Sequence, residues 1–139
     1  MMKVVLDTNL LVSALINSRG TPAKILEAWK NGEIILIFSP AILKEIGQVL
    51  NYHKIGKLHG MSTKEINDFL EELKEYCLIV QGTIKVKVIK EDPSDDKFIA
   101  CALEGEADFI VSGDKHLQRI RESHGIPIIK PQDFLAMLN

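Results

Sequence analysis

The run VVLDTN at residues 4–9 constrains this chain most, because its apolar stretch shows no alternation and stops on a carboxylate, Asp7. A strand that is apolar at successive positions is buried on both faces, the signature of a parallel sheet covered by helices. In open sheets of that kind ligands bind beyond the carboxyl ends of the strands, so an acid at this point faces the functional crevice. A second run, Phe109 to Ser112, ends the same way with Gly113 and Asp114, and the acidic pair Asp95 and Asp96 sits where a helix begins. Acids at such points with no neutralising partners in sequence suggest a divalent metal.

The remaining elements follow from apolar period and cap chemistry. Lys3 to Leu6 reads as a strand, and LLVSALI from residue 10 as an apolar helix that Asn9 is placed to cap. Thr21 and Pro22 start a helix that Asn31 and Gly32 stop. EIILIFS, residues 33–39, is a second strand, after which Ser39 and Pro40 open the helix carrying Glu45. The polar stretch 51–60 suits a short helix and loop, and Ser62 with Glu65 forms a capping box for a helix to about Tyr76. CLIV, 77–80, is a third strand, and Ile84 to Val88 alternates apolar residues with lysine like an exposed edge strand or extended linker. A helix from about Ser94 buries Phe98, Ile99, Ala102 and Leu103 and ends at Gly105. FIVS is a fourth strand, a helix runs from about Lys115 to His124, IPII is a fifth strand, and a last helix follows Pro131. This alternation predicts an α/β fold of three layers, α/β/α, with a mainly parallel five-stranded sheet in one domain spanning residues 1–139.

Composition narrows the function classes. Cys77 and Cys101 form no CxxC pair and read as reduced core residues, which favours a cytoplasmic protein. No apolar run approaches the roughly 20 residues a bilayer demands, and structure starting at Lys3 leaves no room for a signal peptide, so no membrane association is expected. The net charge of −2 does not advertise a nucleic-acid binder, although bound cations would offset an acidic site. His53, His59, His116 and His124 lack HxxH or HExxH spacing, which argues against zinc and leaves them to solvent or phosphate. Lys54, Lys57, Lys97 and Lys115 are candidates to hold a polyanionic backbone. No GxxxxGK loop or nucleophile elbow is present, so the acids carry the chemistry.

Each acid has a local structural role to be weighed against a chemical one. Asp7 could cap a helix, but Asn9 already fills that position in this reading. Asp114 could cap the helix that begins at Lys115. Adjacent side chains on a helix point about 100° apart, so only one of Asp95 and Asp96 faces the crevice. The stripe through Phe98 and Ala102 favours Asp95 at i−3, with Asp96 as a supporting or alternative ligand. Glu45 lies beside the inward stripe of Ile42, Ile46 and Val49.

DTN after the first strand, SPAILKEI with Glu45, DPSDDKFIACAL and VSGDKHL, in this order, resemble the PIN-domain family of metal-dependent ribonucleases, and most of all its VapC-like toxin branch from toxin–antitoxin pairs. The resemblance covers nearly the whole chain. It implies that Asp7, Glu45, Asp95 and Asp114 form an acidic quartet around one or two Mg²⁺ or Mn²⁺ ions, with Asp96 as the alternative ligand beside Asp95. It makes Asn9 and Ser112 the polar residues that orient those acids. The implied activity is hydrolysis of phosphodiester bonds in single-stranded RNA, with Lys54, Lys97 and Lys115 as RNA contacts. The implied partners are a small antitoxin protein and a second copy of the chain. Where the branch often shows Arg-Pro before Lys-Ile, this chain has Tyr52 and His53.

Three other readings compete. A haloacid-dehalogenase-type phosphatase needs a second aspartate two residues after the first, where this chain has Asn9. A receiver domain needs an aspartate after a central strand, where this chain has Ser39 and Pro40. A non-catalytic module would use the acidic crevice only to bind a partner peptide.

Overall fold

The computed structural model describes residues 1–86 and 95–138. Its elements run β1 (Met2–Leu6), α1 (Thr8–Ile16), α2 (Thr21–Lys30), β2 (Ile34–Phe38), α3 (Pro40–Leu50), α4 (His53–His59) and α5 (Thr63–Tyr76). There follow β3 (Leu78–Ile79), α6 (Asp96–Glu104), β4 (Phe109–Val111), α7 (Lys115–Ile120), β5 (Glu122–Ser123), β6 (Ile126–Ile129) and α8 (Pro131–Leu138). The sheet has the order β3-β2-β1-β4-β6-β5 and is parallel except for β5, which pairs antiparallel with β6.

The unbroken apolar runs explain the centre of this sheet. Val4, Val5, Leu36, Ile37, Phe38, Ile110 and Val111 are all fully buried, as strands covered on both faces require. From β1 the chain builds outward through β2 to β3, then returns to add β4 and β6 on the other side. Right-handed crossovers in opposite directions put α6 on the face opposite the helices between β1 and β3. The order reverses between β1 and β4, so the crevice beyond their carboxyl ends is the topological switch point. No described helix is long and apolar enough to cross a membrane.

Four local expectations change. Asp7, not Asn9, caps α1: its carboxylate accepts from the Leu10 amide at 2.8 Å, and the helix starts one residue before Asn9. Gly20 rather than Thr21 precedes the first turn of α2, which brings Pro22 one place further into it. The helix after Asp114 stops at Ile120 instead of His124, because Arg121 has φ +61°. His124 (φ +54°) and Gly125 (φ +82°) then make a two-residue turn between β5 and β6, which adds a sixth strand to the five expected. The Ser39 cap, with the Ile42 amide donating to its hydroxyl, and the Ser62–Glu65 capping box form as expected. Of the Ile84–Val88 stretch, 84–86 form no strand, and the rest lies outside the described residues, as does a helix start at Ser94.

The segment leading towards α6 is tied down by one side chain. The Glu104 carboxylate accepts from the amides of Gln81, Gly82, Thr83 and Ile84 at 2.7, 3.1, 2.8 and 3.3 Å. Desolvation pushes this carboxyl up, but the four amide hydrogen bonds outweigh it and hold the pKa below its ordinary value of 4.5. A depressed carboxylate pKa stabilises the fold above the ordinary value, and that contribution fades as pH falls through the folded-state pKa. Glu104→Gln, which keeps one acceptor oxygen and turns an NH₂ towards amide donors, is therefore expected to speed hydrogen exchange at 81–84 several-fold at neutral pH. The difference from wild type should shrink below pH 4.5, after correction for intrinsic exchange.

Both cysteines are free, and burial pushes each thiol up to about 12, as inert core thiols require.

Candidate active site

The strand-end acids meet at the switch point. Asp7 follows β1 and is only 4% exposed, while Asp114 follows β4 and caps α7. The two loops are stitched together by Ser112, which is fully buried. Its hydroxyl donates to Asp7 Oδ2 and accepts from the Asp114 amide at 2.9 Å. Its carbonyl accepts from Gln118 Nε2 at 2.8 Å. Ser112 thus holds both acids in register.

Two more acids arrive from helices. Asp95 stands at the N-cap of α6 without a side-chain cap hydrogen bond, and Glu45 projects from the second turn of α3. Asp7, Thr8, Asn9, Glu45, Val49, Asp95, Phe98 and Asp114 line one cleft, so all four acids share it. A second cleft, lined by Asn9, Ser13, Gly113, Lys115 and His116 among others, joins it along Asp7 and Asp114. Asp96 begins α6 and does not line either cleft. Asn9 is exposed and lines both, so it reaches the cleft without capping the helix.

Electrostatics differ from acid to acid. Burial raises the Asp7 pKa, against hydrogen bonds from Ser112, Leu10 and Gly113 that lower it, and Asp114 adds to the rise. A desolvated carboxylate kept beside another acid is the situation a bound cation relieves. Glu45 has a different environment: Thr8 Oγ1 donates to Oε1, and Lys97 Nζ lies 2.6 Å from Oε2. The expected RNA contact Lys97 therefore meets an acid of the cleft. Lys115 is exposed on the cleft's rim, whereas Lys54 is exposed on α4 and lines neither cleft.

Two residues of the site escape a reading of the sequence alone. Thr8, buried in the first turn of α1, looks like any helix-starting threonine, and its polar burial is the signal that marks it. His116 fails every spacing rule for histidine ligands. Yet Asp95, Asp114 and His116 each offer a donor atom, and these atoms lie within 4.8 Å of one another. His116 Nδ1 is buried and has no hydrogen-bond partner among the described residues. This orphaned nitrogen beside hard oxygen donors fits a divalent cation, for which Asp95 and Asp114, with Asp7 next to them, would be the oxygen ligands.

A carboxylate-lined cleft at the switch point of a parallel α/β sheet defines the class to which this molecule belongs. Comparison with known proteins narrows it: the PIN domain family matches residues 3–116, and the chain belongs to that family. The uncharacterized protein MJ1680 of Methanocaldococcus jannaschii is 38% identical over 122 residues, which cover 88% of this chain and 77% of that protein. A chain in the crystal structure of VapBC2 from Rickettsia felis bound to a DNA fragment from their promoter superposes with TM-score 0.57 at 15% identity, covering 93% of this chain and 98% of that one. The PIN domain endonuclease Utp24 superposes with TM-score 0.50 at 20% identity, covering 92% and 84% respectively. These likenesses concern the fold.

Proposed function

We propose that this protein is a divalent-metal-dependent endoribonuclease that hydrolyses single-stranded RNA in the cytoplasm, as the toxin of a toxin–antitoxin pair. The observation that carries the reading is the convergence of Asp7, Glu45, Asp95 and Asp114 on one cleft from four separate parts of the chain. Support for the nuclease comes from PIN-family membership and from a fold shared with the endonuclease Utp24. Support for an antitoxin partner comes from the fold shared with VapBC2. Homodimerisation is part of the proposal and rests on the resemblance to the VapC-like branch.

In this mechanism Asp7, Asp95 and Asp114 would hold Mg²⁺ or Mn²⁺, with Asp96 as the alternative beside Asp95. The cation would neutralise phosphate charge and lower the pKa of water at the site. Asn9 and Ser112 keep the acids oriented. Glu45, fixed at both oxygens, orients the attacking water opposite the leaving 3′-oxygen, so that cleavage leaves a 5′-phosphate. Lys115 and Lys54 attract the RNA backbone, and Lys97 sets the position of Glu45.

The direct test is cleavage of an unstructured and a structured RNA by the purified chain with Mg²⁺ or Mn²⁺. Metal-dependent cutting of the unstructured RNA with 5′-phosphate ends is expected, and EDTA should abolish it. Cleavage that survives EDTA would sink the mechanism, and an inert wild type that still binds the cation would turn the cleft into a binding site.

A further inference from the structure

The metal reading uses only acids, but the cleft holds one nitrogen that it leaves unexplained. His116 lies two residues beyond Asp114 in the first turn of α7, and its Nδ1 is buried 3.9 Å from Asp114 Oδ1, too far for a hydrogen bond. Buried polar atoms are nearly always satisfied, and this one, on a side chain that is 37% exposed, is left open to a ligand. Asp114 Oδ1 itself is occupied by the amides of His116 and Leu117 at 2.8 and 3.1 Å. Those two bonds hold the aspartate against the turn that carries the imidazole.

We propose that His116 is a direct nitrogen ligand of the cation held by Asp95 and Asp114, so that the site is a mixed oxygen and nitrogen centre. The inference rests on the metal reading above. Ligand atoms about 2.1 Å from an ion stand about 3 to 4.2 Å apart. The donor atoms of Asp95, Asp114 and His116 lie within 4.8 Å of one another, so they need close by only a few tenths of an ångström. Imidazole suits first-row transition metals, whereas Mg²⁺ prefers oxygen. His116 therefore biases the centre towards Mn²⁺ over Mg²⁺.

The test uses Mn²⁺ alone with the full chain, followed by electron spin-echo spectroscopy and by titration of affinity. Wild type and His53→Ala, which changes an exposed histidine of α4, are expected to show nitrogen modulation from a coordinated imidazole. His116→Ala and His116→Gln are expected to lose it and to bind Mn²⁺ about tenfold or more weakly, with a smaller loss for Mg²⁺. Circular dichroism confirms that the variants are folded. If wild type binds Mn²⁺ without nitrogen modulation, His116 is not a ligand and the inference fails while the acidic metal centre stands. If wild type binds no Mn²⁺, the metal reading fails and takes this inference with it.

Discussion

Asp7→Asn is expected to abolish RNA cleavage, lowering the rate about 100-fold or more, and at the same time to raise the melting temperature of the metal-free protein at neutral pH. The first effect follows if Asp7 holds the catalytic cation, because a metal contributes several kcal/mol to stabilising charge in the transition state. The second follows from burial. Asp7 is 4% exposed and its pKa is raised, chiefly by desolvation, so the ionised form is costly in the folded chain. Asparagine keeps the shape and the acceptor for the Leu10 amide, and its NH₂ donates to Ser112 Oγ where the serine donated before. A raised carboxylate pKa stabilises the fold below the ordinary value of 3.8, and that stability is lost as pH rises through the folded-state pKa. The gain from Asp7→Asn should therefore vanish towards pH 3.8 and grow as pH rises through the folded-state pKa. Thermal unfolding in EDTA across this range measures it. An asparagine variant less stable than wild type at neutral pH would show that the carboxylate is held favourably without a cation.

Gly105→Ala is expected to destabilise the protein by about 1–3 kcal/mol, the usual cost of overpacking a core. Gly105 ends α6 with φ −85°, a conformation any residue adopts, so backbone freedom is not its purpose. A Cβ there would stand 2.7 Å from Ile37 Cγ2 and 3.0 Å from Ile37 Cδ1. Ile37 is fully buried in β2 and β-branched, with no room to turn aside. The close approach lets α6 lie on the sheet and present Asp95 to the cleft, so the variant should also lose activity. Chemical denaturation of Gly105→Ala, Ile37→Ala and the double variant isolates the clash. The double variant should cost clearly less than the sum of the singles, and strict additivity would place the strain elsewhere.

The local signals in the chain were legible because they depend on few neighbours. Apolar runs without alternation announced β1, β2 and β4, and Ser39 with Pro40 and Ser62 with Glu65 announced their helices through backbone hydrogen bonds made within four residues. The acids Asp7 and Asp114 were visible for the same reason, as they stand at strand ends. The misread points share a different cause. Asp7 and Asn9 are both good caps, and only the packed start of α1 chose between them. The turn at His124 and Gly125 lacks the usual Asn-Gly pair, so pairing of β5 with β6 had to select it.

The amino-acid sequence by itself determined a parallel α/β domain with carboxylates at its strand ends, because hydrophobic period and cap chemistry act over a few residues. Only the tertiary structure decided that Thr8 and Lys97 hold Glu45, and that His116 comes to stand beside Asp95 and Asp114. Those relations join residues far apart in the chain, and sheet order and helix docking bring them together in a way no local pattern encodes.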